Sequence, residues 1–244
     1  MPMLYRTALV TGASNGIGRA IAAMLRDEGL DVIAVGRDAV ALASLNSECG
    51  AIPFAADVRD ADAMARVFAE YEIDVLVNNA GVLLARGPFQ TAEVASLEEM
   101  IAVNFTAPLR LARLALPGMI ARKLGHLVFI GSSAGRTPHP DIAAYAATKA
   151  AVSHFCDSLR GDLLGTGARV TEIAPGRARS KLYRDTIGLD AVDAELYDGV
   201  DPIEPEDIAE LVATVLAMPA RVDVTRIEAY PATQAIAGTR ARRE

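Results

Sequence analysis

Short runs of apolar, often β-branched residues recur along this chain, separated by longer stretches whose apolar positions fall three and four apart. A short apolar run marks a buried strand, and a 3.6-residue apolar period marks an amphipathic helix. The runs predict strands at 7–10, 31–35, 52–55, 74–77, 126–130, 169–173 and 222–229. The longer stretches predict helices at 17–28, 39–47, 61–71, 96–121, 143–164 and 205–218. The two alternate over the whole length with no linker. That alternation predicts one α/β domain over residues 1–244, doubly wound, with a seven-stranded parallel sheet flanked by helices.

Composition narrows the function without naming it. With 244 residues, 52% of them hydrophobic, the chain can bury a large core. Its net charge of -7 gives no support for binding nucleic acid or a membrane surface. No apolar run is long enough to span a bilayer, and the first residues lack the regions of a signal peptide. Cys49 and Cys156 have no ligand-like spacing and read as reduced thiols of a cytoplasmic protein. His126, His139 and His154 are scattered, so no metal site is expected.

The first chemical candidate is Tyr145-Ala146-Ala147-Thr148-Lys149. Residues four apart share a helix face, so the phenol and the ammonium stand side by side. A free tyrosine, with a pKa of about 10, is a poor acid or base at neutral pH. A nearby cation favours the phenolate and lowers that value, which makes Tyr145 a candidate general acid/base.

The second candidate follows the first strand, at Thr11-Gly12-Ala13-Ser14-Asn15-Gly16-Ile17-Gly18. Glycines between a strand and a helix let the backbone turn tightly and approach a pyrophosphate at the helix N-terminus. The spacing is GxxxGxG rather than the more general GxGxxG. The second strand ends Gly36-Arg37-Asp38. An arginine there accommodates a 2′-phosphate, where NAD enzymes place a carboxylate on the ribose, so NADP(H) is favoured over NAD(H). Asp38 would be the ribose ligand if the register shifted, but it reads better as the N-cap of the next helix. Asp57-Val58, Asn78-Asn79-Ala80-Gly81, Gly131-Ser132-Ser133 and Pro175-Gly176 also sit just past strand ends, where open α/β sheets bind ligands. The amides at 78–79 either brace crossing strands or touch an adenosine.

Taken together, TGASNGIG at 11–18, Asp57, NNAG at 78–81, Asn104, Ser132, Tyr145-x-x-x-Lys149 and Pro175-Gly176 resemble the short-chain dehydrogenases/reductases. The resemblance covers essentially the full length. It implies a Rossmann fold and an oxidoreductase acting on CH–OH groups, in which hydride passes between a nicotinamide and a carbonyl or alcohol carbon of a small substrate. Tyr145 would handle the proton, Lys149 would lower its pKa and hold the nicotinamide ribose, Ser132 would hold the substrate oxygen, and Asn104 would support a water leading to Lys149. By the same resemblance Gly12, Ser14, Asn15, Gly16, Ile17, Gly18, Arg37, Asp57, Val58, Asn79, Ala80, Gly81, Tyr145, Lys149, Pro175, Gly176 and Ser180 would bind the cofactor. The C-terminal part is similar to NADP-dependent 3-hydroxy acid (serine-type) dehydrogenases and clavulanic acid dehydrogenase-like reductases, and implies a homo-oligomer, tetramer or dimer. Two alternatives differ in class. A nucleotide-sensing regulator of this fold would carry a damaged tetrad, and a lyase or epimerase would have another glycine spacing and a longer chain.

One departure stands beside the expected substrate mouth. Where relatives commonly have Pro-Gly-x-Val/Ile-x-Thr, this chain reads Pro175-Gly176-Arg177-Ala178-Arg179-Ser180, and Lys181 and Arg184 extend the basic stretch. The sharp reading is an arginine fork, Arg177 and Arg179, for an anionic substrate. The blander and preferred one is a solvated loop face. Residues 180–200, with Tyr183, Gly188, Leu189 and Tyr197, are expected to form a lid that excludes water. Arg136 and His139 are candidates to reach the substrate. Cys156 falls on the Lys149 face of its helix and is expected to pack in the core.

Overall fold

The computed structural model describes residues 4–183, 196–197 and 199–235. Its strands are β1 (Thr7–Thr11), β2 (Asp31–Gly36), β3 (Ile52–Ala55), β4 (Val75–Asn78), β5 (Gly125–Ile130), β6 (Ala168–Pro175) and β7 (Arg226–Ala229). They form one sheet in the order β3-β2-β1-β4-β5-β6-β7, every neighbour parallel. The helices are α1 (Gly16–Asp27), α2 (Ala39–Cys49), α3 (Ala61–Glu70), α4 (Val94–Ile101), α5 (Ala107–Arg122), α6 (Ala143–Asp162) and α7 (Pro205–Leu216).

Both faces of the sheet are covered, which is why its strands read as continuous apolar runs rather than alternating ones. On one face Ala8, Val10, Val32, Ala34 and Val77 meet Ile21 and Leu25 of α1, Leu42 and Leu45 of α2, and Ile208 and Val212 of α7. On the other Leu9, Ile33, Leu76, Leu127 and Phe129 meet Met64 and Val67 of α3, Leu111 and Met119 of α5, and Val152 and Cys156 of α6. The strand order reverses between β1 and β4, so the crevice for a ligand opens at their C-terminal ends.

Two elements differ from the sequence expectation. The single helix over 96–121 is broken: α4 and α5 are joined by a π turn, Ala102–Thr106. Pro108 lies at the start of α5 and has no N–H to give the carbonyl four residues earlier, which favours the wider turn at Asn104. The last strand is confined to Arg226–Ala229. Upstream of it, the carbonyls of Val222 and Val224 accept from the side chains of Arg169 and Thr171, and the Thr225 carbonyl accepts from Arg160 as well as from the Glu172 N–H of β6. Of the expected lid, Arg184, Gly188 and Leu189 lie outside the described residues, as does the basic tail Arg240 to Arg243.

At the sheet edge remote from the crevice lies a buried polar chain. Arg169 Nη2 donates to the Tyr5 hydroxyl at 2.6 Å, and that hydroxyl stands 3.4 Å from His126 Nδ1. His126 Nε2 is 2.8 Å from Thr171 Oγ1, which donates to the Val224 carbonyl at 2.6 Å. Arg169 only donates and a carbonyl only accepts, so the direction of the chain is fixed at both ends. It requires a neutral His126 with its proton on Nε2.

Candidate active site

A cleft of about 400 Å³ opens over the strand ends, with the glycine loop at one end and Tyr145 at the other. Gly12 turns the chain with φ 68°, and a Cβ there would lie 3.0 Å from Ala80 Cα. Thr11 ties this loop to β4: its hydroxyl accepts from the N–H of Asn79 at 3.0 Å and of Ala80 at 3.1 Å. The Asn79 amide donates to the Thr11 carbonyl at 2.9 Å. Asn79 thus braces crossing strands and also lines the cleft.

The loop leads into α1, whose first turn carries no acid and whose Asn15 cap makes no side-chain hydrogen bond. Such a helix start attracts an anion. Ser14 Oγ is buried and has no hydrogen-bond partner, and it packs so closely on Gly36 that a Cβ there would collide with it. A buried hydroxyl left unpaired costs free energy unless a ligand satisfies it. Arg37 lines the cleft beside it, while Asp38 caps α2, accepting from Ala41 N–H at 3.0 Å. Asp57 is gripped by Arg59, with Nη2 2.7 Å and Nε 3.0 Å away; that pairing holds its carboxyl below the usual range. A dinucleotide with a 2′-phosphate fits this donor set: anion-ready backbone, an unpaired hydroxyl and an arginine at one end.

At the other end α6 presents Tyr145 and Lys149 on one face, both buried. Lys149 Nζ lies 5.8 Å from the Tyr145 ring centroid and donates to the Ile130 carbonyl at 2.8 Å. Ser132 caps the turn after β5, its hydroxyl accepting from Ala134 N–H at 3.1 Å, and it acts on the Tyr145 phenol. Asn104 Oδ1 accepts from Val82 N–H at 2.8 Å, and its Nδ2 donates to the Val82 carbonyl at 2.8 Å and to Thr148 Oγ1 at 3.3 Å. The π turn therefore clamps the segment after β4 onto the residue beside Lys149.

The electrostatics correct the expected lowering of the phenol. Burial pushes Tyr145 well above its ordinary value, Tyr183 adds to the rise, and Ser132 opposes it. Burial also pushes Lys149 down to about 8, against the pull of Glu172. Desolvating a phenolate outweighs an ammonium that is itself desolvated. At neutral pH the pair holds a protonated phenol beside a charged ammonium.

Most of the predicted residues line the cleft: Gly12, Ser14, Asn15, Gly16, Ile17, Arg37, Asp57, Val58, Asn79, Ala80, Gly81, Ser132, Tyr145, Lys149, Pro175, Gly176 and Ser180. Gly18 and Asn104 stand behind its wall. A Cβ on Gly18 would strike the Gly12 carbonyl, so Gly18 lets helix and loop pack. Arg177 and Arg179 are not among the residues that line the cleft. Arg179 turns instead to Glu204, with Nε 2.9 Å from Oε1, and lies 5.1 Å over the Tyr197 ring. The Arg177 backbone donates its N–H to Gln234 Oε1 at 2.8 Å, and its charge acts on Tyr183 and His139. Among the described basic residues of that stretch, Lys181 lines the cleft. Arg136 is drawn away to Glu228 and Asp157, and His139 is not part of the lining. Leu83, Leu84 and Val103 form an apolar wall that the sequence reading missed. Its signal was the apolar run directly after Gly81. Among the described residues no helix is long and apolar enough to cross a membrane, and no group of three His, Cys, Asp or Glu could hold a metal ion.

A sheet wound in this order, with a glycine loop after β1 and a Tyr–Lys helix after β5, defines a class of nucleotide-linked oxidoreductases. The chain belongs to the short-chain dehydrogenase family, whose model matches residues 6–187. It is 45% identical over 234 residues to the uncharacterized short-chain type dehydrogenase/reductase y4eK of Sinorhizobium fredii, covering 96% of this chain and 94% of that one. It is 38% identical over 245 residues to the NADP-dependent 3-hydroxy acid dehydrogenase YdfG of Escherichia coli, covering 97% and 99%. The closed form of a serine dehydrogenase complexed with NADP+ superposes with a TM-score of 0.91 at 36% identity, over 98% of this chain and all of that one.

Proposed function

We propose that this protein is an NADP(H)-dependent oxidoreductase that moves hydride between the nicotinamide and a carbonyl or alcohol carbon of a small substrate. The observation that carries the reading is the meeting of Ser132, Tyr145 and Lys149 at one end of a cleft that ends in Ser14 and Arg37 at the other. The NADP named for the Escherichia coli relative and for the serine dehydrogenase structure supports the cofactor choice. Their hydroxy-acid substrates make small 3-hydroxy acids and serine the first compounds to try.

Arg37 and Ser14 would hold the 2′-phosphate, the α1 N-terminus the pyrophosphate, and Lys149 the nicotinamide ribose. Bound there, NADPH supplies hydride to the carbonyl carbon. Charge then builds on the carbonyl oxygen, and the Ser132 and Tyr145 hydroxyls stabilise it; one such donor is worth about 3 kcal/mol in comparable oxyanion sites. Tyr145 gives its proton to that oxygen, and the Lys149 ammonium stabilises the phenolate left behind. In the oxidative direction the same phenolate takes the alcohol proton. The apolar wall of Leu83, Leu84 and Val103 keeps water from the reacting carbon. Assembly as a homo-oligomer, tetramer or dimer, belongs to this reading, and light scattering reports it directly.

The test is NADPH consumption over a panel of small aldehydes, ketones and 3-oxo acids. A Tyr145→Phe enzyme should lose turnover while its NADPH affinity stays within a few-fold; retained turnover rules the proton assignment out. Tight NADPH binding with no turnover on any member would favour a nucleotide-sensing regulator.

A further inference from the structure

Glu172 stands in the middle of β6 and is 1% exposed. A carboxylate so placed is costly unless it is paired and hydrogen-bonded. Arg226 of β7 supplies the pair, with Nη2 2.6 Å and Nε 2.7 Å from Glu172 Oε2. The same guanidinium donates to the Ser153 hydroxyl of α6, and Ser153 lowers the pKa of the Glu172 carboxyl. Both guanidinium contacts fall on Oε2. The other oxygen, Oε1, lies under Gly131, where a Cβ would strike it. Gly131 sits between Ile130, whose carbonyl holds the Lys149 ammonium, and Ser132. Ser153 is one helical turn beyond Lys149, on the same face of α6. Glu172 does not line the cleft.

We propose that the Glu172 carboxylate, held by Arg226 behind the cleft wall, acts across Gly131 on the Lys149 ammonium and supports its charge. Glu172 is then a positioning residue, and its role in turnover rests on the hydride-transfer reading of Lys149. Other charged groups face the same point. Asp157 of α6 lies 3.6 Å from Arg226. Arg136, just beyond the Ser132 turn, reaches Asp157 at 4.0 Å and Glu228 at 3.6 Å. The Cys156 thiol is pushed up by burial and, secondarily, by Glu172. The Tyr145 ring faces the ammonium from the cleft side, and Tyr183 in turn acts on Tyr145. Among these, Glu172 is the group that raises Lys149 against its burial. Burial pushes Glu172 itself up, and Ser153, Arg136 and Lys149 hold it back.

The chain has three lysines, Lys123, Lys149 and Lys181, so carbon-13 labelling at lysine Cε gives three resonances in the full-length protein. Lys123→Arg and Lys181→Arg assign them by elimination. In the wild type Lys149 should titrate near 8. Glu172→Gln should lower that midpoint by about one pH unit, because a buried charge close by is removed and Arg226 is left uncompensated. Glu172→Asp keeps the charge and should stay within about half a unit of the wild type. If Glu172→Gln does not fold, Arg226→Met leaves the carboxylate without its guanidinium and should move Lys149 upward. An unchanged Lys149 midpoint in either folded variant overturns the proposal. The kinetic arm follows the alkaline limb of kcat/KM for carbonyl reduction, which should move down with Glu172→Gln. The resonance titration needs no turnover. A protein that reduces nothing would therefore refute the functional reading while leaving the reading of Glu172 to stand or fall by itself.

Discussion

Acid should weaken this protein through His126, and the buried chain Arg169–Tyr5–His126–Thr171–Val224 explains why. A proton on Nδ1 would turn the Tyr5 contact into two opposed donors, since the Tyr5 oxygen already accepts from Arg169. Burial, with Arg169 adding to it, pushes the His126 imidazole from 6.5 down to about 3. The unfolded chain takes up this proton below pH 6.5 and the folded chain does not. The contribution is therefore fully present above 6.5 and is lost as pH falls toward 3. Each unit costs about 1.4 kcal/mol, or roughly 2 kcal/mol between pH 6.5 and 5. Carboxyls raised by burial, Asp223 and Glu172, act with the opposite sign in this range, so the clean quantity is a difference. His126→Gln keeps an N–H for Thr171 but cannot titrate. Urea unfolding of both proteins at the same concentration, at pH 7.5, 6.5, 5.8 and 5.0, should show the wild-type advantage shrinking by about 1.4 kcal/mol per unit below 6.5. A constant difference, or a His126 ring resonance that titrates near 6.5, would refute the reasoning.

Two further outcomes follow from the cleft. Arg37→Ala should weaken NADPH by about 10- to 100-fold, the worth of a charged hydrogen bond, and leave NADH nearly unchanged; calorimetry with both nucleotides reads the difference, and equal losses contradict a 2′-phosphate contact. Arg179→Ala breaks an exposed pair with Glu204, so thermal unfolding should register under about 1 kcal/mol. Acidic and neutral substrates should be affected alike, and a loss confined to acidic ones would return Arg179 to the substrate.

The architecture was legible because both faces of the sheet are buried, which makes each strand an unbroken apolar run. Tyr145 and Lys149 were legible because a helix face is a local property. What escaped the sequence is set by partners far along the chain. The break at Asn104 follows from Pro108 and from a clamp on Val82, 22 residues away. Arg179 is taken by Glu204, 25 residues on. The rise of the Tyr145 phenol comes from burial, which no spacing reveals. Glu172 reads in sequence as one polar residue within a strand; its meaning comes from Arg226, 54 positions later.

The tie between the two ends of the chain has a consequence for biosynthesis. Arg169 gathers Tyr5 together with the carbonyls of Met218, Pro219 and Val222, and α7 covers the apolar face of α1. While the polypeptide is still being made, Ile21 and Leu25 must wait for Ile208 and Val212 to emerge. The first helix of the nucleotide loop thus stays without α7 until that helix has been made, and in that interval chaperones or stray hydrophobic contacts would find it. A ribosome-stalled chain ending before residue 205 should be protease-sensitive at α1, and one extended far enough to free α7 from the exit tunnel should not.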